Sequence, residues 1–245
     1  MDPAVLRDDM VDSLEHEAKA VVRSDAVGIA MREVPRHCFV DDERNAHADC
    51  SHVQAGTHVL APSTVARLLE PLHAREGDCT LVVGAGVGYT SAVLAEIVGE
   101  TNVHAVDITR HIVHVARENL ARAGYDGVLV DHRDGAMGLA EYAPFDRILV
   151  ETAAVEPPRA LVDQLAHDGR LVMPLGLGVQ TLVTVGSDGV RERHGTVSLE
   201  PMLVEGEQPG AIERNRTERE DREFAARAAE RRRGWEHTWI DWDGY

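Results

Sequence analysis

The stretch that most constrains this chain is Thr80 to Thr90, TLVVGAGVGYT. An apolar run, Leu81 to Val83, stops at Gly84-Ala85-Gly86-Val87-Gly88, and a helix from Tyr89 to Val98 is expected to follow at once. Buried strand, glycine turn and helix N-terminus in that order make a βα unit of a parallel sheet. The glycines let the backbone turn sharply and approach a ligand with no Cβ in the way. The first helical turn then offers N–H groups to a polar or anionic group. An ordinary tight βα turn would read the same, so a second feature has to decide.

Two cofactor classes use the device. Dinucleotide enzymes want G-x-G-x-x-G, with a third glycine where the helix packs on the strand. Here the spacing is G-x-G-x-G and Tyr89 holds the third position, which suits S-adenosylmethionine better than a pyrophosphate. The next strand, Asn102 to Val106, ends at Asp107. An acid there, about 20 residues past the glycines, can accept both ribose hydroxyls. It can equally cap the helix over 112–123, or do both. The candidate cofactor residues are Gly84, Ala85, Gly86, Gly88, Asp107 and its neighbour Ile108, with Asp134 and Gly135 after the third strand. Asp134 can accept from an adenine amino group, or simply open an Asp-Gly turn.

The rest of the chain continues the alternation. Apolar spacing predicts an amphipathic helix over 4–23 and a short one over 26–32 that ends before Val34-Pro35. Residues 31–49 have no strong period. Residues 56–72 lead to the glycine strand through a helix starting near Pro62, either a lid over the cofactor or a plain packing helix. Strands are expected at 127–130, 145–150 and 169–173, with helices at 89–98, 112–123 and from Pro157-Pro158 to Leu165. Ser187-Asp188-Gly189 between 182–185 and 190–197 is a hairpin signal. The fold class is a doubly wound, Rossmann-like α/β sheet with a C-terminal antiparallel hairpin, and with the cofactor reading above a class I S-adenosylmethionine-dependent sheet is expected. The glycine turn, Asp107, Asp134 and Thr152 all follow strand ends, so they are expected to converge on one crevice.

Residues 1–212 read as one domain, with an N-terminal helical segment over 1–55. Residues 213–245 form a charged extension carrying Trp235, Trp239 and Trp242, which either docks on its own domain or makes a homodimer contact. The net charge is −17, and Lys19 is the only lysine. Such an acid surplus suits a halophilic protein working in concentrated salt and argues against nucleic acid as partner. Neither a secretory start nor an apolar run of about 18 residues is present, so no membrane partner and a cytoplasmic location are expected. Cys38, Cys50 and Cys79 form no C-x-x-C pair, and reduced thiols are expected. His111 and His114 share a helical face, but no further ligand completes a metal site, so none is expected.

Several segments are specific beyond this fold: MREVPRHCFV (31–40), the Ala-Pro of GTHVLAP (56–62), VVGAGVGYTSAVLA (82–95), the Asp134-Gly135 pair, APFDRILVETAA (143–154) and GRLVMPLG (169–176). With them the chain resembles the protein-L-isoaspartate O-methyltransferases from about Met31 to Leu203. The resemblance implies methyl transfer from S-adenosylmethionine to the α-carboxylate of L-isoaspartyl residues, a protein-repair reaction with isoaspartyl proteins or peptides as partners. It also locates departures. The family's active-site serine position is Leu60, its following histidine is Ser63, and its acid on the glycine strand is Val82. Ser63, with Thr64 beside it, is the candidate replacement donor at the catalytic position. Two other readings share the same cofactor residues: a methyltransferase with a different acceptor, and a cofactor-binding adaptor without turnover.

Overall fold

A computed structural model describes residues 2–176 and 178–203 of the chain. Its first two helices, α1 (Pro3–Glu15) and α2 (Asp25–Glu33), each start on a side-chain cap. Asp2 accepts from the Ala4 amide and Ser24 from the Val27 amide, satisfying donors that have no partner within the helix. α1 is shorter than the periodicity predicts. Ala20 turns left-handed (φ 46°) and the Val21 and Val22 amides both return to the Leu14 carbonyl. Those two valines belong to a returning strap, which carries their apolar side chains back to the body.

A hairpin that sequence patterning did not suggest follows: β1 (His52–Gln54) and β2 (Thr57–Val59). Its turn is Ala55-Gly56, both at positive φ (52° and 82°), the conformation that suits a two-residue hairpin. An alanine there gives no warning. Pro62 then opens α3 (Pro62–Leu69), where its fixed φ and missing N–H cost nothing.

The alternating body comprises β3 (Thr80–Val83), α4 (Tyr89–Val98), β4 (Val103–Asp107), α5 (Arg110–Ala123), β5 (Leu129–His132), β6 (Phe145–Val150), α6 (Arg159–Asp163) and β7 (Leu165–Leu175). The antiparallel strands β8 (Gln180–Gly186) and β9 (Gly189–Val197) complete it. Among the described residues these strands form one sheet in the order β5-β4-β3-β6-β7-β8-β9, parallel from β5 to β7. β7 runs well beyond the expected 169–173, and α6 is correspondingly shorter than the expected helix. The chain passes straight into the sheet at Leu165, opposite Phe145, across an irregularity in register.

All four residues of β3 are buried, because apolar layers cover both faces of the sheet. Val82 and Leu149 lie with Val93, Leu94 and Leu120 in one layer; Leu81, Val83 and Ile148 lie with Phe145 and Leu161 in the other. The strand order reverses at β3, so the crevice beyond its carboxyl end is where ligands of such sheets bind.

Arg36 ties the N-terminal segment to this body. It is fully buried, its Nε donates to the Ala46 carbonyl (2.8 Å) and its Nη2 to the Leu60 carbonyl (2.8 Å). Its guanidinium also lies 4.5 Å from the centre of the Tyr89 ring, at the first residue of α4. A lysine cannot serve two carbonyls and stack at once. R36K is therefore expected to cost about 3 kcal/mol, the scale of leaving buried carbonyls unpaired, read as a lower urea midpoint at unchanged slope.

Candidate active site

The glycine turn is held from below before it meets any ligand. The Gly84 and Ala85 amides both donate to the Val106 carbonyl (2.9 and 3.0 Å), and Gly84 and Gly86 take positive φ (86° and 50°). Asp107 continues the same network. Its Oδ2 accepts from the Gly86 amide (3.2 Å) and its Oδ1 from the Thr109 amide (2.8 Å). Burial raises its pKa, and the two amide bonds oppose that rise. A carboxylate has about four acceptor directions, so both oxygens keep capacity for a ribose. Asp107 thus supports the start of α5 and still belongs to the cavity wall.

That cavity encloses about 600 Å³, within the usual range for a small-molecule site. One wall carries Gly84, Gly86, Asp107, Ile108, Ile112 and Gly135. The facing side is built by β2 and the start of α3, through His58, Leu60, Ala61 and Thr64. Of the segment over 56–72, only the part up to Thr64 faces the glycine turn, the His58 carbonyl standing 4.0 Å from where a Cβ on Gly86 would be, while Val65, Ala66, Leu68, Leu69 and Leu72 pack in the core. Residues 198–203 close the remaining side.

Four of the expected site residues stand off the wall. Gly88 faces α5, where a Cβ would meet Leu120 at 3.1 Å and the Ala116 carbonyl at 3.3 Å; it permits helix packing. Ala85 is buried in the apolar layer. Asp134 accepts from the Ala136 amide (2.9 Å) and shapes the turn that presents Gly135. Gly135 itself sits so close to Val83 that a Cβ would come within 2.3 Å of the valine Cγ1. Ser63 lies at the outer side of α3, its amide donating to Asp49 (2.9 Å), which in turn pairs with Lys19 (2.9 Å). Thr64 is the neighbour that lines the cavity, because consecutive helical residues point about 100° apart. Val82 is fully buried in the apolar layer.

Two polar groups at the end of β6 complete the wall. Glu151 and Thr152 both line the cavity, and Glu151 Oε1 and Thr152 Oγ1 are shut off from solvent without a partner. They adjoin the first glycine: a Cβ on Gly84 would lie 3.3 Å from Thr152 Cγ2 and 3.7 Å from Glu151 Cβ. Burial pushes the Glu151 carboxyl up to about 7, a hydrogen bond with Thr90 opposes the rise, and the Asp107 charge adds to it. Thr152 was foreseeable as a residue after a strand end. Glu151 was visible too, but nothing local distinguishes a solvated acid from a buried one. Among the described residues no cluster of three or more His, Cys, Asp or Glu is placed to hold a metal, and no helix is long and apolar enough to cross a membrane.

A glycine cradle at the switch point, an acid ending the second strand and buried unpaired acceptors beside the first glycine fit the sulfonium cofactor S-adenosylmethionine, and the architecture is that of the class I methyltransferases that use it. The chain belongs to the protein-L-isoaspartate(D-aspartate) O-methyltransferase family, whose family model it matches over residues 7–203. It is 42% identical over 163 residues to a protein-L-isoaspartate O-methyltransferase of Methanococcoides burtonii, covering 65% of this chain and 80% of that one. A second, from Aeropyrum pernix, is 42% identical over 193 residues, 75% of this chain and 74% of that one. In fold it is similar to a Plasmodium falciparum protein of the same description, solved with S-adenosyl-L-homocysteine (TM-score 0.71, 22% identity, 80% of this chain and 98% of that one).

The Glu151 shift has a stability consequence. Below the ordinary 4.5 folded and unfolded states are both protonated and nothing is lost. Between there and about 7 only the unfolded state has released the proton, so the folded state is penalised increasingly as pH rises. Without cofactor, E151Q is expected to be more stable than the parent at pH 8 by up to about 3 kcal/mol. The gain should vanish near pH 4, as checked by urea unfolding at both pH values.

Proposed function

We propose that the cavity aligns the α-carboxylate of an L-isoaspartyl residue for methylation, the repair chemistry of the family to which the chain belongs. The observation that carries this reading is the placing of the glycine turn and Asp107 on one wall, with the Leu60–Thr64 segment facing them. S-adenosylmethionine supplies the electrophilic methyl when bound. Gly84, Gly86, Asp107, Ile108 and Gly135 are the residues that would hold it, with Ile108 and Ile112 offering an apolar face to the base.

The acceptor needs no general base. An α-carboxyl has a pKa of about 3.5 and is already an anion at neutral pH. What the protein must provide is orientation and partial exclusion of water. Leu60 contributes an apolar wall where its side chain is partly buried against the core. Its backbone position is held by Arg36. Thr64 is our candidate hydroxyl donor to the acceptor carboxylate, replacing Ser63 in that role because Thr64 is the one on the wall. The acid surplus supports function in concentrated salt, where self-repulsion is screened.

Transfer of label from S-adenosylmethionine to an isoaspartyl peptide, beside its aspartyl twin and in molar potassium chloride, tests the reading. Label on the isoaspartyl peptide alone is expected; label on neither, with cofactor still bound, would overturn it. T64V is expected to lower kcat/KM about tenfold, the worth of one hydrogen bond to a charged group, while S63A leaves it within twofold. The reverse ranking would return the donor role to Ser63.

A further inference from the structure

The cavity is acidic in a way that the ribose contact does not use. Its wall carries Asp107, Glu151 and Glu200, against His58 as its sole basic side chain among the described residues. His58 lies 3.5 Å from Glu200 at the exposed rim, so it is engaged away from the glycine turn. Glu151 stands beside the glycine turn, its Cβ 3.7 Å from where a Cβ on Gly84 would be. The groups bearing on its carboxyl are the Thr90 hydroxyl from α4 and the negative Asp107 from β4. Neither neutralises it, and its Oε1 accepts from nothing. Leaving such an acceptor buried is costly, and a hydrogen-bonding cation is the partner that removes the cost.

The strand order says which part of the cofactor comes here. From the edge inward the wall presents Gly135 after β5, Asp107 ending β4, Gly84 after β3 and Glu151 after β6. With the ribose at Asp107 and the base beyond it at Ile108, Ile112 and Gly135, the amino-acid end must extend toward Gly84 and Glu151. Two cations lie in that half, the sulfonium and the α-ammonium. Only the ammonium has N–H bonds to give, and an unpaired carboxylate oxygen needs a donor.

We propose that Glu151 is a cofactor-binding residue that receives the α-ammonium group of the cofactor's methionine half, with Thr152 Oγ1 beside it as a second acceptor. This assignment rests on the S-adenosylmethionine reading of the cavity. It also accounts for an apolar Val82 on the glycine strand: the negative charge for the amino-acid end comes from the neighbouring strand. The carboxyl, its pKa pushed up to about 7 by burial, becomes the anion on binding and gives its proton to solvent.

The test is binding, by titration calorimetry of the full chain at pH 8, of S-adenosylmethionine, S-adenosylhomocysteine and 5′-methylthioadenosine to the parent and to E151Q. The first two share the α-ammonium, the second lacks the sulfonium, and the third lacks the amino acid altogether. E151Q is expected to weaken the first two alike, by tenfold or more, and to leave 5′-methylthioadenosine within twofold, which also shows that the variant is folded. In buffers of differing ionisation enthalpy at pH 7, the parent should release about half a proton per S-adenosylhomocysteine bound and E151Q none. Unchanged affinity for all three, equal loss for all three, or loss confined to S-adenosylmethionine would each overturn the assignment; the last would place the sulfonium at Glu151. A parent chain that binds none of the three would refute the cofactor reading itself, separately from the role of Glu151.

Discussion

The structure depends on a strand that has no free face and no free edge. β3 is covered by apolar layers above and below and paired on both sides, by β4 and β6, in parallel register. Its side chains are all buried, three of them apolar and the fourth, Thr80, tied to the Asn102 carbonyl (3.1 Å), so none of them reaches the cavity except Val83 at its carboxyl end. Chemistry is displaced to the point where the strand ends. The glycine turn is the form that this displacement takes, and the ends of β4 and β6 are brought to it by the same register. Val83 aligns with Val106 and Val150, so Asp107 and Glu151 arrive at equivalent positions on either side of the turn.

The second half of the site is held by a different kind of contact. The segment carrying Leu60 and Thr64 is not part of the large sheet. It is fixed by the small β1–β2 hairpin and by Arg36, a buried cation whose Nε and Nη2 donate to main-chain carbonyls and whose guanidinium lies over the Tyr89 ring. Since Tyr89 begins the helix that follows the glycines, one side chain links the Leu60 segment to the glycine-turn side of the cavity.

Charge distinguishes the cavity wall: Asp107, Glu151 and Glu200 face one basic side chain, His58, among the described residues, and the carboxylate acceptor of the proposed reaction is itself an anion. An isoaspartyl carboxylate entering an empty cavity would meet like charge, whereas a cationic cofactor reduces it. In the proposed cofactor complex the Glu151 Oε1, shut off from solvent and unpartnered in this structure, gains a cationic donor.

Much of this was legible in the residues alone. The apolar run, the glycine spacing, Asp107 and the repeated alternation are local or evenly periodic signals, and they determined the doubly wound sheet, its α4 helix over Tyr89–Val98 and the crevice at its carboxyl edge. The tertiary structure decided what depends on neighbours distant in the chain. Gly88 serves helix packing because α5 happens to lie against it, and Thr64 rather than Ser63 meets the cavity because α3 is rotated with Asp49 on its other side. The left-handed Ala55 and Ala20 have no compositional signature, so the hairpin and the shortened first helix escaped the pattern. The Trp-rich extension over 213–245 lies outside the described residues. Glu151 shows the division most clearly. Its place after a strand is written in the sequence, but its loss of solvent is conferred by Thr90, the glycine turn and the strands around it, and desolvation is a property of the assembled surroundings.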